Sequence, residues 1–241
     1  MTVQGSSGSA EIVEQEAALL LRSIAEQLKL PLTAIARQAE LGTLTGRTEL
    51  TDLKSISTHA STALLLVDSY LMGLHLLHQQ AALSLEPVSV SSMLTETAHE
   101  LNGLARQYDV TLDLHIAGKY APVMAHQAAL KSALVSLGCG LLESGPIEGS
   151  RLTLAVHRTP HGIVTGVYGD FLALSTSRWR KALALHGKAA QPLRALGGNA
   201  AGLFVAETIL QAMETRLRVG KYLHQHGLAT TLQSSQQLSL V

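Results

Sequence analysis

Two apolar stripes with helical spacing fill the first third of the chain and limit what it can become. Leu21, Ile24, Leu28, Ile35 and Ala39 fall on one face of a helix that the spacing predicts to begin near Glu11 and end around Leu41 and Gly42. Pro31 removes one backbone donor inside that stripe, and because the period continues beyond it a bend is expected, not a break. After a polar link from Thr43 to Glu49, a second stripe runs Leu53, Ile56, Ala60, Ala63, Val67, Tyr70 or Leu71, Leu74 and Leu77, with Thr51 and Asp52 as expected caps. Two such helices joined by a short loop form an antiparallel hairpin. Faces this long cannot cover themselves, so a homodimer with a four-helix bundle is expected.

Composition narrows the remainder. Of 241 residues 46% are hydrophobic and 15% charged, enough to bury real cores. Lys and Arg number 18 against 18 Asp and Glu, so no overall field draws the chain to nucleic acid or to anionic lipid. No apolar run reaches the ~20 residues of a membrane helix. Residues 1–10 form a Gly/Ser-containing leader without a basic, apolar export pattern, and the expectation is a cytoplasmic protein. Cys139, the single cysteine, stands in an apolar run and reads as a small buried residue. The hairpin is expected over residues 11–84, and Pro87 with the alternating polarity of residues 82–90 marks a boundary into a mixed unit over residues 85–241. Helices are expected at residues 88–108, 127–144 and 201–213. Strands are expected at residues 110–116, 151–157, 163–168, 216–223 and 230–240.

Several residues along this path resemble the motifs of sensor histidine kinases. The segment from Ala25 to Ile35, AEQLKLPLTAI, is similar to the family's S-H-E-L-R-T-P-L-T-A-I box, and the phosphorylated histidine of that box falls on Glu26. The Leu-Glu-Pro-Val step at residues 85–88 resembles the family's passage into its catalytic domain. Gly197 to Ala206, GGNAAGLFVA, is similar to G-G-T-G-L-G-L-A-I-V, which closes the ATP lid and opens a helix. The resemblance covers nearly the whole chain after the leader. It implies an α+β architecture: a dimerising phosphoacceptor hairpin followed by an α/β sandwich of the histidine-kinase ATP-binding type.

The same alignment shows what has been replaced. Phosphoryl transfer to an imidazole needs a free lone pair, and Glu26 offers a carboxylate, either as a solvated helix residue or as a fixed charge imitating phosphohistidine. The metal-binding Asn falls on Gly140, which has no oxygen ligand to offer, and the basic residue three positions on is Glu143. Asp170 matches the adenine-reading Asp, but Leu172 and Leu174 stand where the following turn has glycine. Gly198, Asn199 and Gly202 keep part of the phosphate cradle. The implied cofactor is therefore at most weakly bound ATP or ADP.

The resemblance thus implies a two-component signalling protein that is a catalytically defective pseudokinase, working by dimerisation and by binding a response regulator around Gln27, Lys29, Leu30 and the facing part of the second helix. The alternatives are a phosphotransfer protein, with His59 as the surviving acceptor, or a divergent active kinase or phosphatase. His75 with His78, and His224 with His226 if extended, offer two metal ligands each, and nothing at ligand spacing completes either set. Arg178, Trp179, Arg180 and Lys181 form the one compact basic cluster, read as a solvated face over a packed Trp179 or as a phosphate contact.

Overall fold

A computed structural model describes residues 6–46, 50–78, 83–143, 149–170, 176–177, 179 and 201–235. Helix α1 spans Ser6–Thr45 and α2 spans Leu50–His78, packed on each other as a hairpin. Pro31 lies inside α1, which continues past it. The helix starts earlier than its apolar stripe because backbone bonding, unlike burial, does not require apolar residues. Thr51 and Asp52 prove to sit within the first turn of α2, where the Asp52 carboxylate complements the helix dipole.

A short strand β1 (Glu86–Val88) follows, and Ser89 caps α3 (Val90–Gln107) by accepting the Ser92 N–H at 3.3 Å. The buried positions of α3, including Met93, Leu94, Thr97, Leu101 and Leu104, repeat at three and four residues. Strand β2 (Thr111–Ile116) and β3 (Val123–Ala125) lead to α4 (Gln127–Leu142), whose cap is the imidazole of His126, accepting the Ala129 N–H at 3.2 Å. Strands β4 (Arg151–Thr159) and β5 (Gly162–Gly169) form a hairpin. Its turn needs Gly162: φ is 138°, and a Cβ there would stand 2.5 Å from the Leu232 carbonyl oxygen. Helix α5 (Ala201–Ala212), β6 (Arg218–Tyr222) and β7 (Gln225–Leu232) complete the order.

The main sheet runs β2-β4-β5-β7-β6, with β2 parallel to β4 and the other pairs antiparallel; β1 and β3 pair apart from it. Helices α3, α4 and α5 cover one face. On the other, Ala155, Tyr168 and Ala229 form a small second core, with Tyr222 stacked on His157 at 5.4 Å and its hydroxyl 3.3 Å from His115 Nδ1.

The last strand departs from expectation. It occupies Gln225–Leu232, not residues 230–240, because Leu223 and His224 close a tight turn with Leu223 at φ 52° and no glycine to signal it. The extended register expected for His224 and His226 is therefore absent: His224 lies in the turn and His226 in β7, opposite Lys221. Residues 236–241 lie outside the described residues. No helix among the described residues is long and apolar enough to cross a membrane.

Hairpin and α/β half share one core. Ile24, Leu66, Tyr70 and Leu76 belong to the same buried cluster as Leu130, Leu141 and Leu203, and Ser69 Oγ donates to the Ser132 carbonyl at 3.5 Å. Part of the hairpin's apolar surface is thus covered by α4 and α5 of its own chain. What stays open is a second set of leucines, including Leu21 at 58%, Leu32 at 53%, Leu64 at 65% and Leu71 at 54% exposure.

Candidate functional site

Helices α4 and α5 place the residues expected around a nucleotide. Gly140 is buried where the two helices cross, and a Cβ on it would stand 3.2 Å from the Leu203 backbone nitrogen and 3.3 Å from Leu203 Cδ2. A missing side chain here does more than subtract a metal ligand. It lets α5 approach so closely that a larger residue would displace it. Gly202 is buried in the first turn of α5, while Gly198 and Asn199 lie outside the described residues. Trp179 is buried too, its ring 6.4 Å from that of Phe204 and stacked at 22°. Arg178, Arg180 and Lys181 lie outside the described residues.

Asp170 follows the last residue of β5 and is exposed. Its Oδ1 accepts the Arg151 backbone N–H at 3.0 Å, so the carboxylate ties the start of β4 to the end of β5. The Arg151 guanidinium turns instead to Asp113 at 3.1 Å. Cys139 is wholly buried and its thiol is pushed far up by burial, which removes it from nucleophilic chemistry near neutral pH.

The hairpin residues meet a different environment. Glu26 lies in α1 a little over one turn before Pro31, and its side chain, like that of Gln27, is outside the described residues. Lys29 and Leu30 are exposed. His59 is not the exposed histidine its polar neighbours suggest, being half-buried on the side of α2 that faces the α/β half. Burial lowers its pKa, which favours the neutral imidazole. Thr58 beside it lies against Gly103, where a Cβ would stand 3.0 Å from Thr58 Cγ2.

His59 opens into a cavity of ≈ 440 Å³ between hairpin and α/β half. Leu30, Pro31 and Ala34 of α1 and Leu104 of α3 supply apolar lining. Ser55, His59 and Thr62 of α2, with Gln107, Tyr108 and Glu143, supply the polar side. Tyr108 is pushed up to about 12, first by burial and then by the negative charge of Glu143. Sequence reasoning weighed Glu143 for phosphate and His59 for the hairpin, and missed that they share a space with Tyr108 and Gln107. No local signal could have shown it, because only the docking of α2 on α3 and α4 brings them together. Among the described residues no group of three His, Cys, Asp or Glu is placed to hold a metal; His75 is exposed on α2, and the His78 side chain is outside them.

No protein-family model and no curated protein matches the sequence. Solved structures do match. The histidine kinase AdeS of Acinetobacter baumannii superposes with a TM-score of 0.54 at 13% identity, over 87% of this chain and 98% of that one. This chain has a histidine-kinase-like fold. Full-length ShkA in complex with AMPPNP matches over 95% of this chain and 46% of its own, at a TM-score of 0.53 and 14% identity. A bacterial phosphotransferase matches over 95% and 98% of the two chains, at 0.50 and 15% identity. In this histidine-kinase-like fold α1 and α2 are the helical hairpin, and the five-stranded sheet with α3, α4 and α5 is the ATPase-like layer.

Proposed function

We propose that this chain is a two-component signalling protein that works as a pseudokinase: a dimer of histidine-kinase architecture that acts through contacts with a response regulator and transfers no phosphoryl group from ATP. Residues 11–84 form the dimerising hairpin in this reading, and residues 85–241 the ATPase-like half. The observation that carries it is the crossing at Gly140, where the position of the expected metal ligand is occupied by the approach of Leu203. Asp170, bound to the Arg151 backbone, and the acidic Glu143 point the same way. The exposed leucines of α1 and α2 supply the apolar surface for a second copy, and Lys29 and Leu30 the start of a regulator-docking face.

Thermal unfolding with excess ATP or ADP and Mg²⁺, together with an assay for phosphoprotein, tests the reading. Binding at 100 times Kd would add about 2.7 kcal/mol, a shift of several degrees. The expected result is no shift and no phosphate on the protein. A nucleotide-dependent shift with acid-labile phosphate would overturn it.

Phosphotransfer through His59 is the second reading, favoured by burial that tips its imidazole toward the neutral form and by the end-to-end likeness to a bacterial phosphotransferase. In that case His59→Ala abolishes transfer from a phosphorylated regulator. Full transfer by the variant eliminates the role.

A further inference from the structure

We propose that the tip of the β6–β7 hairpin, residues 221–226, is a latch released by acid: Tyr222 fastens it to the outer face of the sheet by stacking on His157, and protonation of His157 frees it. Strand β6 is an edge of the sheet, so it has a backbone partner on one side only. Leu223 in the turn is held at φ 52° without being glycine, and it is 64% exposed, so the turn is strained and makes little contact of its own. Tyr222 supplies the fastening. Its ring lies 5.4 Å from that of His157 at 27°, 5.4 Å from that of Tyr168 at 35°, and edge-on to His115 at 5.8 Å. With Val164 it packs on Ala155, Tyr168 and Ala229, the small second core.

His157 is the group whose charge this contact does not tolerate. Its Nδ1 is buried and has no hydrogen-bond partner. An imidazolium carries an N–H on both ring nitrogens, so the protonated ring would bury a charged donor with nothing to accept it. Burial accordingly lowers its pKa. The titratable groups that face it are His115 from β2, Tyr168 from β5 and Tyr222 from β6, with Lys221, His224 and His226 at the tip; Arg158 alternates to the other face of β4. Asp113, on the face of β2 that carries His115, is taken up by Arg151 at 3.1 Å. Among the described residues no carboxylate offsets a charge on His157. A cation is attracted to the face of a tyrosine ring, but that gain is smaller than the loss of hydration at a buried N–H without an acceptor. His115 differs, because a protonated Nδ1 still donates to the Tyr222 oxygen 3.3 Å away. The latch is therefore closed above the ordinary histidine pKa of 6.5, and as the pH falls below it the open tip is favoured. Release uncovers Ala155, Tyr168 and Ala229, so an apolar patch appears on the outer face in acid. The inference stands whether or not the ATP site is dead.

Amide hydrogen exchange of the full chain at about pH 7.5 and about pH 5, on either side of the ordinary histidine range and corrected for intrinsic rates, tests it. Residues 219–222 and 225–228 are expected to exchange about tenfold or more faster in acid, while β4 keeps its protection. His157→Phe keeps the stack without a proton site and should hold the tip closed at both pH values, whereas His115→Phe should leave the release in place. A tip unmoved by acid, a β4 that loosens as much as the tip, or a release that persists in H157F each overturn the proposal. Should H157F fail to fold, the ring resonances of the unaltered chain decide: His157 should titrate below its ordinary 6.5 with the Tyr222 signals following the same midpoint, and separate midpoints overturn the proposal equally.

Discussion

A Cβ added at Gly140 would stand 3.2 Å from the backbone nitrogen of Leu203, and backbone in a helix crossing cannot step aside as a flexible side chain can. Gly140→Asn restores the residue type that the resemblance calls for, yet it is expected to cost about 1–3 kcal/mol by overpacking and to yield no Mg·ATP binding. A melting curve with and without nucleotide reads both effects, and a G140N protein that melts normally and is stabilised by Mg·ATP would contradict them. Two titratable residues give the cavity a pH signature of opposite sign. Tyr108 ionises less readily when folded, its pKa raised from 10.0 to about 12, so its contribution to stability is intact below pH 10 and fades as the pH climbs toward 12. His59 takes up a proton less readily when folded, so its contribution is intact above its ordinary pKa of 6.5 and fades as the pH falls below it. Stability measured against pH should lose alkaline sensitivity in Tyr108→Phe and acid sensitivity in His59→Gln.

Helix α2 packs on α1 and, across its other side, on α3, α4 and α5, and its contact with α3 depends on Gly103, where any Cβ comes 3.0 Å from Thr58 Cγ2. Gly103→Leu should push α2 away from α3, opening the cavity at His59 and speeding amide exchange along α2, while exchange in β4 and β5 stays slow. Equal acceleration in both would show that the contact is not local. Which elements were legible in the sequence follows from how each is built. Helices α3 and α4 and the β4–β5 hairpin carry their own signals: a stripe at three and four residues, a long apolar run, and the Thr-Pro-His-Gly turn. Strands β1 and β3 have three residues each and exist only because Glu86–Val88 meets Val123–Ala125 across α3, a non-local pairing that no window of sequence contains. The site divides likewise. Gly140 was visible as a departure from a motif and Asp170 as a match to one, whereas the junction of His59, Tyr108 and Glu143 arises from the docking of separate helices.

One buried cluster runs from Ile24 and Leu66 in the hairpin to Leu203 and the sheet, so the whole chain is expected to unfold in a single transition. Leu66→Ala should cost about 2–5 kcal/mol and lower that transition as a whole. Two separated transitions in calorimetry would show that the halves melt apart. Because α4 and α5 already cover one side of α2, the expected dimer must use the leucines that remain open, and Leu64→Glu with Leu71→Glu should yield a monomer by sedimentation while the melting temperature at high dilution holds. The chain has one tryptophan, and Trp179 is buried against Phe204 at the first turn of α5. Its emission is therefore an optical gauge of the packing at the start of α5: blue-shifted and sheltered from quencher at rest, and red-shifted by any partner that pries that packing open.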